Sequence, residues 1–502
     1  MAAWAIYHRL KQSSKQKLPL PPGPKPLPLV GNLFDYPHDS PWLTYRDWCK
    51  EYGEIVSISI LGQQTIILDS VDAITDLMGK RSAIYSDRTS FPMLNDLIGW
   101  HWNFAFMKYG SEWRRRRRVF NEHFNQSTIR SLYPIHAKHS RLLMQRLLQS
   151  PEDFESHLRH NLTASIMEGV FAMDIKDQTD PFIEIAETAL LSLSIAGIPG
   201  TYYVDNFPFL KYLPSWFPGA GFKKQAREWG KYVRSLRVDA FTKLKERMAA
   251  DEARPCIAKS LLDNADPDDE KLIEAIRDAT AIAFGAGADT SVASNLIFLL
   301  ALVLYPEAQQ KAQDEIDAVV GRDRLPDFRD QPNLPYVNAL CKEVMRWQNV
   351  TPLAVAHAAT EDDVYKGYFI PGGSVVIANA WAVMHDPEVY PEPEIFKPER
   401  FLKDGKLDRS VRDPLAYAFG FGRRICPGRY FALDSLYSVA TAILACFTVE
   451  PPLGENGERQ MPLPQMTTGV ICMPEAFDAI IKPRYEGVKS LIENSIIDIQ
   501  EV

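Results

Sequence analysis

The ten residues 419–428, FGFGRRICPG, constrain this chain more than any other stretch of its sequence. They place one cysteine, Cys426, among three glycines and two arginines. An amphipathic helical pattern follows, so the sulfur is predicted to lie at a helix N-terminus, where free amides and the helix dipole stabilise a thiolate. Glycine permits backbone angles and close approaches that a side chain would block. The stretch therefore suits an anionic sulfur bound to something bulky, flat and negatively charged.

Three interpretations of Cys426 compete. A buried structural cysteine would need neither the glycines nor the arginines. A catalytic nucleophile would need a histidine base, and no local motif supplies one. A ligand to heme iron would use the glycines to let the loop lie under the porphyrin and an arginine to contact a propionate.

The third interpretation is favoured by a motif, F-x-x-G-x-R-x-C-x-G. It is matched at Phe419, Gly422, Arg424, Cys426 and Gly428. The stretch thereby resembles the cytochrome P-450 family of heme-thiolate proteins. The resemblance covers essentially the whole chain and implies a mainly α fold with small β-sheets, with heme b as cofactor and Cys426 as its thiolate ligand.

Composition excludes several other classes. The chain is 46% apolar and 24% charged, as in ordinary globular proteins. A net charge of −8 and a pI near 5.8 argue against nucleic-acid binding, which needs a basic surface. The six cysteines form no C-x-x-C pair, so neither a zinc ribbon nor a disulfide scaffold is expected. Reduced thiols in a cytosol-facing protein fit better.

The N-terminus begins with seven apolar residues, followed by basic ones and by LPLPPGPKPLP. A membrane span needs about 20 apolar residues, so this stretch cannot cross a bilayer alone. We interpret residues 1–30 as a short or truncated anchor with a proline-rich hinge, and a disordered leader is the alternative. Residues 31–502 are predicted to form a single domain. The resemblance places the chain at the endoplasmic reticulum membrane, with that domain facing the cytosol.

Local patterns predict the main elements. Two short β-like runs cover 55–68, which reads as a hairpin around Gly62, and 368–379. Helical patterns cover 112–125, 271–304, 306–320, 334–348 and 427–446.

The segment 281–306 could be mistaken for a membrane helix, as in a transporter. Its central carboxylate, Asp289, would be costly in lipid. Gly285 and Gly287 each cost about 1 kcal/mol against alanine, which favours a long core helix with a local distortion. Within it, AGADTS resembles the family's oxygen-binding motif. The resemblance implies that Thr290 contacts dioxygen and that Asp289 helps to deliver protons.

Other motifs occur in the family's order. Glu343 and Arg346 lie three residues apart on one helix face, and the resemblance joins them to Arg400 in a buried structural network. Trp113 and Arg117 match the family's W-x-x-x-R, and the resemblance implies that they contact a heme propionate. His357 falls where many family members place another propionate contact. The other arginines of 114–118 are predicted to lie near the surface, where they would either be simply solvated or steer an acidic electron donor.

The stretch 90–110, which the resemblance places over the substrate pocket, is rich in aromatic residues. Such an apolar lining implies that the substrate is a hydrophobic small molecule. Core packing alone would give a similar composition. The predicted pocket residues are Phe91, Trp100, Trp102, Phe104, Phe284, Gly285, Leu353, Val355 and Val470. The segment 205–222 is too apolar for a free loop and too rich in proline for a helix. It is predicted to contact the membrane, and packing inside the protein is the alternative.

The resemblance implies a monomeric monooxygenase. It would use O2 and electrons from NADPH-cytochrome P-450 reductase, with cytochrome b5 as an optional second donor. The chain is similar to fungal microsomal enzymes of secondary metabolism, so a terpenoid is the first substrate expected. Indoles, aromatics and polyketides are alternatives. A reductase-independent isomerase or dehydratase and a non-catalytic heme carrier are rival functions, and the Asp289–Thr290 pair speaks against both.

Overall fold

The structure is a computed structural model that describes residues 18–454 and 456–500. Most of the predicted anchor, residues 1–17, lies outside the described residues. The helices are α1 Pro41–Tyr52, α2 Val71–Ile74, α3 Ser82–Tyr85, α4 Ser111–Phe124, α5 Tyr133–Gln149, α6 Phe154–Phe171, α7 Pro181–Ala196, α8 Tyr203–Asn206, α9 Gly221–Ala249, α10 Ile257–Asp263, α11 Glu270–Leu304, α12 Pro306–Val319, α13 Pro335–Trp347, α14 Ala380–Met384, α15 Arg429–Cys446 and α16 Val488–Gln500. Two π-helical segments, Thr75–Lys80 and Met93–Ile98, lie between α2 and α4.

The strands form small separate sheets. They are β1 Ile55–Ile60, β2 Gln63–Leu68, β3 His357–Ala358, β4 Asp363–Tyr365, β5 Tyr368–Ile370, β6 Val375–Ala378, β7 Leu402–Lys403, β8 Lys406–Leu407, β9 Phe447–Glu450 and β10 Ile480–Pro483. The largest sheet has the order β1-β2-β6-β3, with β2 and β6 parallel and the other pairs antiparallel. The predicted hairpin at 55–68 is confirmed. The run 368–379 divides, because β5 pairs with β4 while β6 joins the largest sheet.

Helix α11 is the centre of the fold. It packs against α4, α6, α7, α9 and α15. In the described residues it is the one helix long and apolar enough to cross a membrane, but 78% of its most apolar window is buried inside the protein. The prediction of a core helix is therefore confirmed.

The local distortion expected in α11 does not interrupt the helix, which is continuous from Glu270 to Leu304. The glycines serve packing instead. A Cβ on Gly285 would lie 3.0 Å from the side chain of Leu236 in α9 and 3.1 Å from that of Leu190 in α7. Glycine at this position lets three helices approach one another more closely than larger residues would allow.

His136 makes the contact between α5 and α15 sensitive to acid. Its ring lies 4.7 Å from that of Phe431 and is 3% exposed, and its Nε2 has no hydrogen-bond partner in the described part of the chain. Burial, and then the nearby His139, lowers the pKa of His136 to about 3. An unfolded histidine titrates near 6.5, so between these values the unfolded chain binds more protons. Stability is therefore lost as the pH falls from about 6.5 towards about 3.

We expect His136→Phe to flatten the fall of melting temperature between pH 7 and pH 5. The substitution removes a base that is neutral in the folded protein and charged in the unfolded chain. At pH 5 this difference lowers the free energy of unfolding of the wild type by about 1–2 kcal/mol. Thermal unfolding of the holoprotein followed by circular dichroism measures it. Exposed His101→Gln is the control and should keep the wild-type slope. An unchanged slope in His136→Phe would contradict this account.

Candidate active site

The Cys426 loop is held against the rest of the fold by its backbone. The amide N–H of Cys426 donates to the carbonyl of Phe419 at 2.7 Å, and α15 begins three residues after the cysteine. Gly422 has φ +55°, and a Cβ there would lie 2.0 Å from the carbonyl oxygen of Met78. The loop can therefore rest on the π-helix Thr75–Lys80 only because residue 422 has no side chain.

The thiol of Cys426 differs from expectation in one respect. The amide N–H groups of Gly428 and Arg429 and the guanidinium of Arg117 all lower its pKa, as predicted for a helix N-terminus. Burial is the larger effect, however, and the pKa of Cys426 is raised overall. The amides at the helix end and Arg117 thus favour a thiolate, as the sequence predicts, and oppose the effect of burial.

Arg424 lies beside this loop and is buried. Its guanidinium donates to the carbonyls of Ser86, Phe104 and Met107 at 2.8–3.1 Å and stacks 4.7 Å from the ring centre of Trp113. Burial lowers the pKa of Arg424 to about 10. Since these three bonds use only part of its donors, N–H groups remain for another acceptor.

Arg117 and Arg88 add two more guanidinium groups. Arg117 lies 5.9 Å from the Trp113 ring, and burial lowers its pKa to about 10. Arg88 is 5% exposed and donates to the carbonyls of Ala105, Val355 and Ala356. Sequence analysis missed Arg88, because it follows Asp87 in the mostly polar stretch IYSDRTSF and nothing there marks it as buried.

His357 completes this cluster as a neutral ring. Its Nδ1 lies 2.6 Å from the carbonyl oxygen of Tyr85, so that nitrogen carries the proton and donates it. Burial, and then the charge of Arg88, lowers the pKa of His357 well below its ordinary value. His357 is therefore positioned to act as a hydrogen-bonding group rather than as a cation.

No carboxylate lies within 4 Å of Arg88, Arg117 or Arg424 in the described residues, and the one carboxylate whose charge reaches Arg88 and Arg424 is the more distant Asp87. Unpaired buried charge is strongly destabilising, so the arrangement calls for an anionic ligand. Heme carries two carboxylate side chains at one edge and an iron that binds thiolate. The donors around Cys426 therefore fit heme in both charge and ligand type.

The predicted Asp289 and Thr290 occupy successive positions near the middle of α11. The hydroxyl of Thr290 donates to the carbonyl of Ala286 at 2.6 Å. The carboxylate of Asp289 accepts from Arg159 of α6 at 3.1 Å, and burial raises its pKa although Arg159 opposes this. Arg159 also pairs with two more exposed carboxylates, Glu187 at 2.6 Å and Glu155 at 3.2 Å. A charged chain thus connects Asp289 to the surface, and sequence analysis missed it.

The three residues of the predicted structural network, Glu343, Arg346 and Arg400, are joined by hydrogen bonds in the structure. Arg346 donates to both carboxylate oxygens of Glu343 at 2.7 and 2.8 Å, and Arg400 donates to Glu343 at 3.0 Å. The Glu343 and Arg346 side chains have 0% exposure and Arg400 has 6%. The amide of Lys397 adds a fourth bond to Glu343 at 2.8 Å. One buried carboxylate therefore holds α13 to the segment around 397–400.

The prediction that the arginines of 114–118 other than Arg117 lie near the surface is wrong at Arg116. Arg114 and Arg118 are exposed, as predicted. Arg116 is instead buried and donates to Asp278 of α11 at 2.9 Å and to Glu112 at 3.0 Å. It follows Trp113 by three residues and so shares the inward face of α4.

The predicted pocket residues fall into two groups. Six are buried among core side chains, as shown by the Trp100–Trp102 stack at 5.3 Å and the bond from Trp100 to Ser192 at 3.0 Å. These six are Phe91, Trp100, Trp102, Phe104, Phe284 and Gly285. The other three, Leu353, Val355 and Val470, line a cavity of about 510 Å³.

The fold is mainly helical, and its cysteine loop depends on glycine for its conformation and lies beside arginines that make no ion pair in the described residues. This arrangement is that of a heme-thiolate protein. The family model for cytochrome P450 matches residues 21–479. A cytochrome P450 monooxygenase of Armillaria gallica is 40% identical, with 98% of each chain covered. Tryptamine 4-monooxygenase of Psilocybe cyanescens is also 40% identical, covering 93% of this chain and 94% of its own.

The chain therefore belongs to the cytochrome P450 family. It is a monooxygenase whose cofactor is heme b bound through a cysteine thiolate. As a member of the family, it takes electrons from a redox partner and binds O2 and a hydrophobic substrate.

Proposed function

We propose that this monooxygenase oxidises a hydrophobic small molecule of fungal secondary metabolism, with a terpenoid as the first candidate. The observation that supports the site assignment is the group of three arginines, Arg88, Arg117 and Arg424, which lie near the Cys426 loop and make no ion pair within 4 Å in the described residues. The similarity to basidiomycete monooxygenases supports the setting. Oxidation of an indole, an aromatic or a polyketide is the alternative.

In this proposal the Cys426 thiolate would hold the heme iron, and heme when bound would supply the activation of O2. The loop geometry is set by Phe419, Gly422 and Gly428. The groups that hold the propionates are Trp113, Arg117, His357, Arg424 and, newly, Arg88. Glu343, Arg346 and Arg400 stabilise the protein around the site and do not contact the reacting atoms.

In this proposal Asp289 and Thr290 take part in delivering protons to dioxygen. Burial raises the pKa of Asp289, so its carboxyl group can hold a proton and release it. Arg159 joins Asp289 to the partly exposed Glu187, which gives a route for replacing that proton from solvent. The Thr290 hydroxyl donates its one proton to the Ala286 carbonyl here, and in this proposal it turns from that carbonyl to donate to dioxygen.

Thr290→Val tests this assignment. Valine keeps the shape and removes the hydroxyl, so we expect product per NADPH consumed to fall by about tenfold or more and hydrogen peroxide to rise. Thr280→Val is the control. Thr280 lies ten residues earlier on α11, and its hydroxyl donates to the carbonyl of Ile276, four residues before it, as that of Thr290 does to Ala286. NADPH, peroxide and product are measured with reductase present. Equal coupling in both variants would contradict the assignment.

Dependence on NADPH separates the monooxygenase from its rivals. Isomerisation or dehydration on the same fold needs no reductase. Product that forms only with NADPH and reductase supports the proposal, and product that forms without them favours the rival. A carrier would give no product with any substrate tested.

The electron donor is proposed to be NADPH-cytochrome P-450 reductase, with cytochrome b5 as an optional second donor. The exposed arginines Arg114, Arg118 and Arg423 lie on the side of the cysteine loop, where a basic patch on an acidic protein attracts an acidic donor. We infer that the protein acts as a monomer and that residues 31–502 act as one domain.

We infer that the chain lies at the endoplasmic reticulum membrane. The segment 205–222 contains the end of the short α8 and a 3-10 turn, and many of its side chains are exposed. Trp216 is 81% exposed, and Phe209 and Tyr212 are also exposed. Exposed aromatic residues of this kind suit a membrane interface. The anchor proposed at residues 1–30 would lie at the same membrane.

A further inference from the structure

Helices α5 and α6 pack side by side, and two contacts fix how they lie against each other. Towards one end, the Nε2 of His139 in α5 lies 2.6 Å from the carboxylate of Glu168 in α6. At the other end, the ring of His157 in α6 lies 2.9 Å from the carbonyl oxygen of Ser150, the residue that follows α5. The two helices are therefore antiparallel, and each residue in their middle turns has a defined neighbour across the pair.

Arg146 lies on the face of α5 that is turned towards α6. It follows His139 by seven residues, about two helical turns, so the two side chains share a face. The same count backwards from Glu168 arrives at Asn161, next to His160. The charge of Arg146 lowers the pKa of His160, as expected for side chains that lie close together. Arg146 therefore lies across from His160 and Asn161 in the middle of the pair.

The positive charge of Arg146 has no partner in the described residues. No carboxylate lies within 4 Å of its guanidinium there, and its Nη1 is buried without a hydrogen bond. Burial lowers the pKa of Arg146, and no acidic group of the described chain opposes this effect. An uncompensated charge that is partly buried is unfavourable, so the guanidinium calls for an acceptor.

The two residues across from Arg146 also have unused hydrogen-bonding groups. His160 is 1% exposed and Asn161 is 2% exposed. Neither ring nitrogen of His160 makes a hydrogen bond of normal geometry in the described residues, although the Ile175 carbonyl attracts the ring and opposes the fall of its pKa. The Oδ1 of Asn161 has no partner there either, and a half-turn of the amide would present N–H donors instead. Buried polar groups without partners are few in proteins, so this cluster indicates an ion or water between the helices.

The carboxylates around the pair do not supply the missing acceptor. Glu168 is already bound by two side chains of α5, at 2.6 and 2.9 Å. Asp177, whose charge reaches His160, is exposed and accepts from Thr179. The acceptor for Arg146 must therefore come from solution, and a negatively charged one would balance the guanidinium.

We propose that α5 and α6 bind a small monovalent anion of the chloride type between them, held by the Arg146 guanidinium with the His160 ring and the Asn161 amide as further donors. One negative charge balances one uncompensated positive charge. None of these three residues belongs to the proposed heme, oxygen or substrate sites, so the inference is independent of the proposed function.

Bromide, which replaces chloride in such sites, tests the location. Crystals of the holoprotein grown with sodium bromide are measured at the bromine absorption edge. We expect an anomalous difference peak at hydrogen-bond distance from the Arg146 guanidinium, on the side of His160, and its loss in Arg146→Gln. Water at this position, or bromide on the outer surface only, would overturn the proposal. This measurement on the wild type does not depend on how well any variant folds.

The melting temperature of the holoprotein tests whether the anion is bound in solution. Sodium chloride replaces sodium gluconate, a much larger anion, at constant ionic strength, and calorimetry is run at one heating rate. At chloride near a hundred times its Kd we expect a saturating rise of about 3–5 °C in the wild type. Arg146→Gln should show no rise.

Arg141→Gln is the matched control. Arg141 lies on the same helix, but its guanidinium donates to the carbonyl of Ser495 at 3.4 Å. This variant should keep the chloride dependence of the wild type. An equal rise in Arg146→Gln and the wild type would place the chloride effect elsewhere and overturn the proposal. A bromide peak without any chloride-dependent rise in the wild type would show binding at crystal concentration only, and would overturn it as well.

Discussion

Replacing Glu343 by glutamine is expected to prevent stable accumulation of the folded protein. Two guanidinium groups, of Arg346 and Arg400, would then lie buried with no anion between them. Breaking a buried pair in this way costs about 3–5 kcal/mol. That is a large part of the roughly 5–15 kcal/mol by which domains are stable. The yield of soluble holoprotein and its melting temperature measure the effect.

Glu228→Gln is the matched control. Glu228 pairs with Lys231 at 2.6 Å, but both side chains are more than half exposed. Exposed pairs contribute about 0–1 kcal/mol, so this variant should behave like wild type. Similar melting temperatures for Glu343→Gln and Glu228→Gln would show that the buried network does not hold the fold.

Gly422→Ala is expected to abolish heme incorporation. Its φ of +55° costs an L-residue about 1–2 kcal/mol. The added Cβ would also overlap the Met78 carbonyl, with 2.0 Å between the two atoms, so the loop must move. Such overpacking costs about 1–3 kcal/mol more and displaces Cys426. Heme content per polypeptide, measured on purified protein, is the readout.

Gly420→Ala, in the same loop, separates strain from contact. Gly420 has φ +79°, but the nearest atom to an added Cβ is the Arg424 carbonyl oxygen at 3.9 Å. This variant should therefore suffer only the conformational cost, about 1–2 kcal/mol, and keep most of its heme. Equal heme content in the two variants would mean that the contact with Met78 is unimportant.

Local sequence patterns predicted the helices and the hairpin well. The periodicity of 271–304 and its polar residues were enough to identify α11 as a core helix, and Gly62 located the turn of the hairpin. The spacing of Glu343 and Arg346 predicted their shared face, but Arg400 was linked to them only through the family resemblance.

Other features could not be read from the sequence because they depend on helices that are distant along the chain. The partner of Asp289 is Arg159, 130 residues away on α6. Arg116 and Arg117 are adjacent and identical in type, and only the position of Asp278 decides that Arg116 turns inward. The helix end at Cys426 could be read from the pattern, but the burial that raises the pKa of its thiol could not.

The central claim is that Cys426 binds heme iron as a thiolate. The most direct test is the absorption spectrum of the reduced holoprotein with carbon monoxide, recorded beside Cys426→Ser. The account predicts a strongly red-shifted Soret band in the wild type and its loss in the variant. A folded wild-type protein that takes up no heme, or one whose carbon monoxide complex shows a histidine-type Soret band unchanged by the substitution, would contradict it.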